Sequence, residues 1–176
     1  RTGFPQAKRL VSIMRVPELN EFTIDARGVL HAGAAVRQQA FSEEPRIKQR
    51  WQAIDDAMEG VGHTRIRRML TVGGSVAPLI GGFDLPLALL ALNARVTFAG
   101  PSGQRTVTLE EAFQKRFAKD EMVVSVDVDT PYARSGSSFY KYMARGVLEI
   151  PTVNTAAFIT LNADGTCSHA RAMVGA

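Results

Sequence analysis

Two pairs of adjacent glycines, followed by an aspartate and an apolar run, constrain the fold of this chain more than any other feature. The pairs Gly73-Gly74 and Gly81-Gly82 lie in the segment TVGGSVAPLIGGFDLPLALLALNA. The apolar run predicts a helix that is buried nearly all round, with Asp84 capping its N-terminus and Pro86 in its first turn. The glycines predict tight backbone just before that helix.

The first glycine pair indicates either an anion-binding loop or a plain turn. Two consecutive glycines leave two amide N–H groups uncovered and free to adopt positive φ, a geometry that can wrap an anion. Thr71 and Ser75 add hydroxyl donors on either side, and a diphosphate suits such a loop because its oxygens accept several hydrogen bonds at once. The spacing matches neither a Walker loop nor G-x-G-x-x-G, so the glycines alone leave both interpretations open.

The rest of the chain mixes helix and strand patterns, which predicts the α+β class. From Ser42, the sequence SEEPRIKQRWQAIDDAMEGVG predicts one amphipathic helix. The segment RLVSIM (9–14) is predicted to be a strand, and EFTIDARGVLHAGAAV a hairpin about Ala-Arg-Gly. Further strands are predicted at RVTFAG, QRTVTL, EMVVSVDV, FYKYM, TAAFITLN and SHARAMVGA. A polar, turn-rich stretch near 130–138 favours two domains, residues 1–131 and 132–176.

Composition and charge argue against several functional classes. The net charge of +4 is spread along the chain, and no aromatic residues interleave with the tightest basic cluster, RIRR at 65–68, so a nucleic-acid partner is not expected. No apolar run approaches the ~18 residues that a membrane span requires. Cys167 is the single cysteine, and His31, His63 and His169 lack metal-ligand spacing. These features indicate a cytoplasmic protein without a metal site.

The segment GHTRIRRMLTVGGSVA, with an aspartate ten residues after Gly74, resembles one FAD-binding segment of a known family. The family is that of the flavoprotein (medium) subunits of molybdenum hydroxylases, which includes xanthine dehydrogenase and carbon monoxide dehydrogenase. Its usual form is close to G-H-x-Q-I-R-N-x-G-T-[IV]-G-G-N-[LI]-A. The stretches LVSIMRVPEL, GVLHAGAAV, SGQRTVTLEEAF, DEMVVSVDV and SFYKYMARGVLEIPTVNTAAFITLNADG are also similar, so the resemblance covers essentially the whole chain.

The resemblance implies a fold and a redox role. The fold would be a vanillyl-alcohol-oxidase/PCMH-type FAD-binding domain, a mixed sheet with flanking helices, followed by the start of a small antiparallel C-terminal lobe. The chain would be an oxidoreductase subunit whose FAD passes electrons from [2Fe-2S] clusters to NAD or another acceptor. Its partners would be an iron–sulfur subunit and a molybdopterin subunit that carries a molybdenum cofactor. No catalytic acid, base or nucleophile is expected, because His63 lacks the third group that would orient it in a triad.

The resemblance also assigns cofactor contacts by position. Asp84 would hydrogen-bond the sugar or adenine side of FAD, Val123 would press on the flavin or the adenine, and Lys141 would lie near the isoalloxazine. For Asp84 the alternative is helix capping alone, and for Lys141 a solvated strand position. The residues expected to hold the diphosphate and its adjoining ribose form one segment: Thr71, Val72, Gly73, Gly74 and Ser75.

The chain departs from the family pattern at several points. Nothing in it resembles the family's earlier glycine-rich loop, A-G-G-x-S-L, and Ser75 replaces the asparagine after the glycine pair. The chain is therefore expected to lack the N-terminal glycine-rich lobe and the end of the C-terminal lobe. Loss of several charge-assisted hydrogen bonds would weaken FAD binding by orders of magnitude. Two alternatives stay open, a flavin-free partner-binding scaffold and a stand-alone flavin oxidase of the vanillyl-alcohol type.

Overall fold

Five strands form the larger of two sheets in the computed structural model, which describes residues 9–144, 146 and 150–175. Their order in the sheet is β1-β2-β5-β3-β4, and every pairing between them is antiparallel. The predicted α+β class is confirmed, although this sheet is antiparallel rather than mixed. The strands are β1 (Phe22–Ile24), β2 (Leu30–Gly33), β3 (Arg95–Gly100), β4 (Gly103–Thr108) and β5 (Met122–Val128).

The second sheet contains three antiparallel strands, β6 (Ser135–Tyr142), β7 (Val153–Leu161) and β8 (Cys167–Gly175), in that order. Along β7, buried residues alternate with exposed ones, so one face of this sheet packs inward. Phe139 and Ala156 of the inward face belong to the same hydrophobic core as the first sheet. The division of the chain at residue 131 stays a prediction.

Short helices connect and cover the two sheets. The helix α6 is buried at every position from Asp84 to Ala91, as its apolar sequence predicts, and it contacts α3, β7 and β8. No helix in the described part of the chain combines the length and the apolar character needed to cross a membrane. The helices are α1 (Gln39–Glu43), α2 (Pro45–Arg50), α3 (Gln52–Gly60), α4 (Thr64–Arg67), α5 (Val72–Val76), α6 (Asp84–Ala91) and α7 (Leu109–Lys115).

The predicted hairpin is confirmed as β1 and β2, and local hydrogen bonds explain its turn. The carboxylate of Asp25 accepts hydrogen bonds from the backbone N–H groups of Arg27 (2.9 Å) and Val29 (2.8 Å). Gly28 occupies the left-handed region, at φ +81°, where a residue without Cβ is favoured. An aspartate and a glycine at these positions are thus sufficient to close the turn.

Three local predictions are wrong. No strand forms over residues 9–14, where Leu10 and Val11 are 90% and 76% exposed and only Ile13 and Met14 pack partly against the core. The single helix predicted from Ser42 is divided into α1, α2 and α3, and the break between α2 and α3 lies at Trp51, at φ −130° and ψ 61°. The indole is fully buried there, and its Nε1 donates to the Asp129 carbonyl at 2.9 Å.

Asp84 does not cap α6. Phe83 holds the N-cap position, and the Asp84 carboxylate accepts hydrogen bonds from Lys141 and Asn154 instead.

Candidate functional site

A cavity of about 530 Å³ opens at the N-terminal end of α6. Its wall contains four of the residues predicted to contact a cofactor, which are Gly74 and Ser75 of α5, Asp84 of α6 and Lys141 of β6. Small-molecule sites are typically clefts of ~300–1,000 Å³ lined mainly by apolar groups with a few polar ones. The cavity has this size and this character, so it is the candidate site.

The glycine pair does not form the open anion loop that the sequence favoured. Gly73 and Gly74 lie in the short helix α5, and neither has positive φ. The Gly73 N–H donates to the Ala34 carbonyl at 2.8 Å, and the Gly74 N–H donates to Thr71 Oγ1 at 3.0 Å. The expectation of two uncovered amides is therefore wrong, because Thr71 caps α5 and takes up one amide while the neighbouring chain takes up the other.

The two glycines serve different local purposes. A Cβ on Gly73 would lie 2.7 Å from Ala34 Cβ, so the missing side chain permits close packing of α5 on the segment after β2. Gly74 is exposed and lines the cavity, where the absence of a side chain leaves the backbone open to a ligand. Sequence reasoning identified the pair but could not separate these two roles.

A buried glutamine missed by the sequence analysis supports Ser75. Gln38 is 1% exposed and lines the cavity, and its Nε2 donates to Ser75 Oγ. A hydroxyl carries one donor proton and two acceptor lone pairs, so Ser75 keeps its proton for another acceptor. Nothing in the local pattern distinguishes Gln38 from its neighbour Gln39, and only the fold brings it to Ser75.

Asp84 and Lys141 form a buried ion pair at the cavity wall. Lys141 Nζ lies 2.8 Å from Asp84 Oδ2, and the two side chains are 8% and 7% exposed. Lys141 also donates to the Gly60 carbonyl at 3.0 Å, while Asn154 Nδ2 donates to Asp84 Oδ1 at 3.2 Å. Lys141, the predicted cation, and Asp84, the predicted hydrogen-bond acceptor, are thus paired with each other. Sequence reasoning did not identify Asn154, which is fully buried.

The remaining predicted residues lie away from the cavity surface. Thr71 is the N-cap of α5, Val72 and Gly73 form its first turn, and none of the three lines the cavity. Val123 is buried in the first sheet, where β5 pairs it with Phe98 of β3. The structure therefore brings together Gly74, Ser75, Asp84 and Lys141, and it does not bring Val123 to them.

A second cavity of about 600 Å³ lies at the opposite end of α6, beside Leu92 and Tyr132. Its charged groups are paired within the chain. Asp129 binds Arg95 through two hydrogen bonds, and the guanidinium holds the pKa of that carboxyl below its usual value. Because this cavity contains none of the predicted residues and its charges already have partners, it is the weaker candidate.

Comparison with known proteins identifies the family. A model described as the FAD binding domain in molybdopterin dehydrogenase matches residues 1–131. The chain belongs to that family. The predicted family is confirmed, and FAD is the cofactor that gives this domain its description.

The curated relatives of this chain are longer than the chain itself. The 6-hydroxypseudooxynicotine dehydrogenase complex subunit alpha of Paenarthrobacter nicotinovorans is 31% identical over 169 residues, a match covering 94% of this chain and 56% of the relative. The carbon monoxide dehydrogenase medium chain of Hydrogenophaga pseudoflava is 26% identical, and the match covers 96% of this chain and 59% of the relative. The chain thus spans a little over half the length of these relatives.

Solved structures confirm the fold of this FAD-binding domain. Carbon monoxide dehydrogenase from Hydrogenophaga pseudoflava superimposes with a TM-score of 0.82 at 24% identity, over 92% of this chain and 56% of that chain. Quinoline 2-oxidoreductase from Pseudomonas putida 86 gives a TM-score of 0.78 at 25% identity, over 93% of this chain and 57% of that chain.

The cavity residues fit part of an FAD molecule. Gly74 leaves room for close approach, the Ser75 hydroxyl has a proton to donate, and the apolar wall suits a ring or a sugar edge. The backbone amides of Gly73 and Gly74 are bound within the chain, so the fit to a diphosphate oxygen is through the Ser75 hydroxyl instead of an amide nest.

Proposed function

We propose that this chain binds FAD in the cavity at the N-terminal end of α6 and serves as an electron-transfer subunit of a molybdenum-containing hydroxylase. The observation that carries the proposal is the cavity beside Gly74 and Ser75 in a chain of the FAD-binding family. Bound FAD would accept electrons and release them to NAD or another acceptor. The chain's own residues would bind the cofactor, orient it and exclude water from it.

Within this proposal some of the predicted residues would contact the cofactor directly and others would support them. Gly74 would allow close approach of the cofactor, and the Ser75 hydroxyl would donate to one of its oxygens. Thr71, Val72 and Gly73 would act by shaping the turn that presents these two residues. The neutral ion pair of Asp84 and Lys141 would form a polar wall, and Val123 stays a prediction without support from the cavity geometry.

The proposed partners are an iron–sulfur subunit and a molybdopterin subunit. Support comes from the relatives, one of which is described as a complex subunit and another as a medium chain. A cytoplasmic location is part of the proposal and is supported by Cys167, the single cysteine of the sequence, which is free and exposed.

The test is the flavin content of the purified chain, alone and with its partners, before and after Gly74→Val. A valine Cβ at this position would lie 2.9 Å from Thr71 Oγ1, so the cap of α5 would have to shift, and Gly74 lines the cavity that the valine would alter. We expect bound FAD in the unchanged chain and less than a tenth of that content in the variant, with the fold retained. Gly136→Val is the matched control, because a Cβ there meets no atom within 4 Å and the residue lies on β6 away from the cavity.

A flavin-free scaffold is the second candidate, and one observation favours it. The Gly73 and Gly74 amides that would grip a diphosphate are both bound within the chain. If unfolding releases no flavin fluorescence from the chain or from its complex, the scaffold replaces the electron-transfer role. Flavin that stays attached to the unfolded chain would instead favour a stand-alone oxidase with a covalently bound cofactor.

A further inference from the structure

Gln38 is a fully buried polar residue at the wall of the candidate cavity. It lies between the bridge that pairs Arg37 with Thr71 and the start of α1. Its backbone N–H donates to the Leu70 carbonyl at 3.0 Å, which fixes it beside α5. The side chain is 1% exposed, so its amide makes its contacts inside the protein.

The Gln38 amide is only half satisfied. Its Nε2 donates to Ser75 Oγ, whereas its Oε1 is buried without a partner among the described residues. A buried acceptor left without a hydrogen bond is destabilising, and an apolar side chain of similar volume would avoid that cost. Stability alone therefore does not explain a glutamine at this position.

The one side-chain hydrogen bond that Gln38 makes among the described residues controls the direction of the Ser75 proton. Since Nε2 donates to Ser75 Oγ, the hydroxyl cannot point its own proton at the amide. Among the described residues the Ser75 hydroxyl donates to no protein acceptor, and the Thr71 carbonyl one turn earlier accepts only the Ser75 N–H, at 3.1 Å. Ser75 lines the cavity, so a ligand oxygen there is an available acceptor for the proton.

We infer that Gln38 is a positioning residue that holds the Ser75 hydroxyl as a donor toward an oxygen of the FAD sugar–phosphate chain. This inference rests on the proposed function, because it needs FAD in the cavity. Gln38 acts through Ser75 and does not itself contact the cofactor. A hydrogen bond to a charged oxygen is the strong kind, so its loss is measurable in binding.

The test compares FAD affinity with thermal stability in Gln38→Met, Ser75→Ala and the double variant. Methionine has nearly the volume of glutamine and no donor, so Gln38→Met removes the contact without creating a large cavity. We expect Gln38→Met to weaken FAD binding about tenfold while its melting temperature stays equal to or above that of the unchanged chain. Ser75→Ala should weaken binding at least as much, and adding Gln38→Met to it should cause no further loss.

Thr160→Val is the matched control. Thr160 is also a buried hydroxyl-bearing residue with a hydrogen-bond partner, Ser135 Oγ at 2.9 Å, but it lies in the second sheet. We expect it to lower the melting temperature and leave FAD affinity unchanged. A purely structural Gln38 would behave like this control, with a lower melting temperature and unchanged affinity, and that result would overturn the inference.

A second variant, Gln38→Glu, covers the case in which Gln38→Met does not fold. An ionised carboxylate only accepts hydrogen bonds, so it would draw the Ser75 proton away from the cavity. We expect a larger loss of FAD affinity than in Gln38→Met, and a smaller one at low pH where the carboxyl is protonated. If Gln38→Glu binds FAD as tightly as the unchanged chain, the inference about Gln38 is overturned and the proposed function is not affected. Absence of FAD binding in the unchanged chain overturns the proposed function instead.

Discussion

At the scale of single residues, the adjacent glycines Gly73 and Gly74 have different structural roles. Gly73 faces Ala34, and a Cβ on it would lie 2.7 Å from the Ala34 Cβ and 3.0 Å from its carbonyl oxygen. Gly74 faces the cavity, and a Cβ on it would meet only Thr71 Oγ1 within 4 Å. The first position is therefore restricted by packing and the second by access to the site.

Gly73→Ala tests this separation through stability. Helix propensity alone would favour alanine in α5 by ~1 kcal/mol. The contact with the Ala34 backbone should outweigh that gain, and we expect the free energy of unfolding to fall by about 1–3 kcal/mol, as in other overpacked cores. Urea denaturation followed by circular dichroism measures it. Equal or greater stability in the variant would show that α5 can move away from Ala34 without loss.

At the scale of helices and strands, local pattern was a good guide wherever local contacts decide the structure. The strand at TAAFITLN and the hairpin about Ala-Arg-Gly are both realised, because a pleated strand and a turn closed by Asp25 need only neighbouring residues. Trp51 has helical spacing with Ile47 and Ile54, yet it ends α2 because its indole N–H reaches the Asp129 carbonyl. That partner is distant in sequence, so no local pattern could predict the break.

At the candidate site, too, features set by neighbouring residues were predictable from the sequence, and features set by distant partners were not. Gly74, Ser75 and Asp84 were identifiable from the sequence and lie at the cavity, since a glycine pair before an apolar helix is a local signal. Gln38 and Asn154 were not identifiable, because each gains its role from a partner that folding brings near it. The direction of the Gly73 amide also depends on Ala34, which lies in the segment after β2 and is distant in sequence.

An acid-sensitive ion pair joins the strand β4 to the loop before β5. Arg105 Nε and Nη2 lie 2.6 and 2.8 Å from the two oxygens of Glu121, and the Ala118 N–H adds a third bond at 2.8 Å. The Arg105 side chain, and then the Ala118 amide, lower the pKa of Glu121 to about 2. Because this pKa is below the ordinary value of 4.5, the unfolded chain binds the proton more readily.

Glu121→Gln is therefore expected to have a pH-dependent effect. The ionised carboxylate contributes stability above its ordinary pKa, and this contribution is lost as the pH falls through the window from 4.5 to about 2. The variant should be less stable than the unchanged chain at pH 7, and the difference should close within that window. Melting temperatures of both proteins across the pH range provide the check, and a difference that is constant with pH would contradict the assignment.

At the scale of the whole molecule, one buried polar network joins the two sheets through α3 and α6. Lys141 of β6 binds Asp84 of α6 and the Gly60 carbonyl of α3, and Asn154 of β7 also donates to Asp84. Phe139 and Ala156 of the second sheet share the hydrophobic core of the first. Shared packing of this kind favours one cooperative unfolding transition over two.

Lys141→Met should destabilise the entire chain. It leaves the Asp84 carboxylate buried without its cation, and removal of one partner of a buried ion pair typically costs about 3–5 kcal/mol. Adding Asp84→Asn removes the unpaired charge while keeping an oxygen for Asn154, so the double variant should recover most of that loss. Differential scanning calorimetry gives both quantities, since a single transition has equal calorimetric and van't Hoff enthalpies. Two separate transitions in Lys141→Met would mean that residues 132–176 unfold independently, and the network would then be a contact between domains instead of part of a common core.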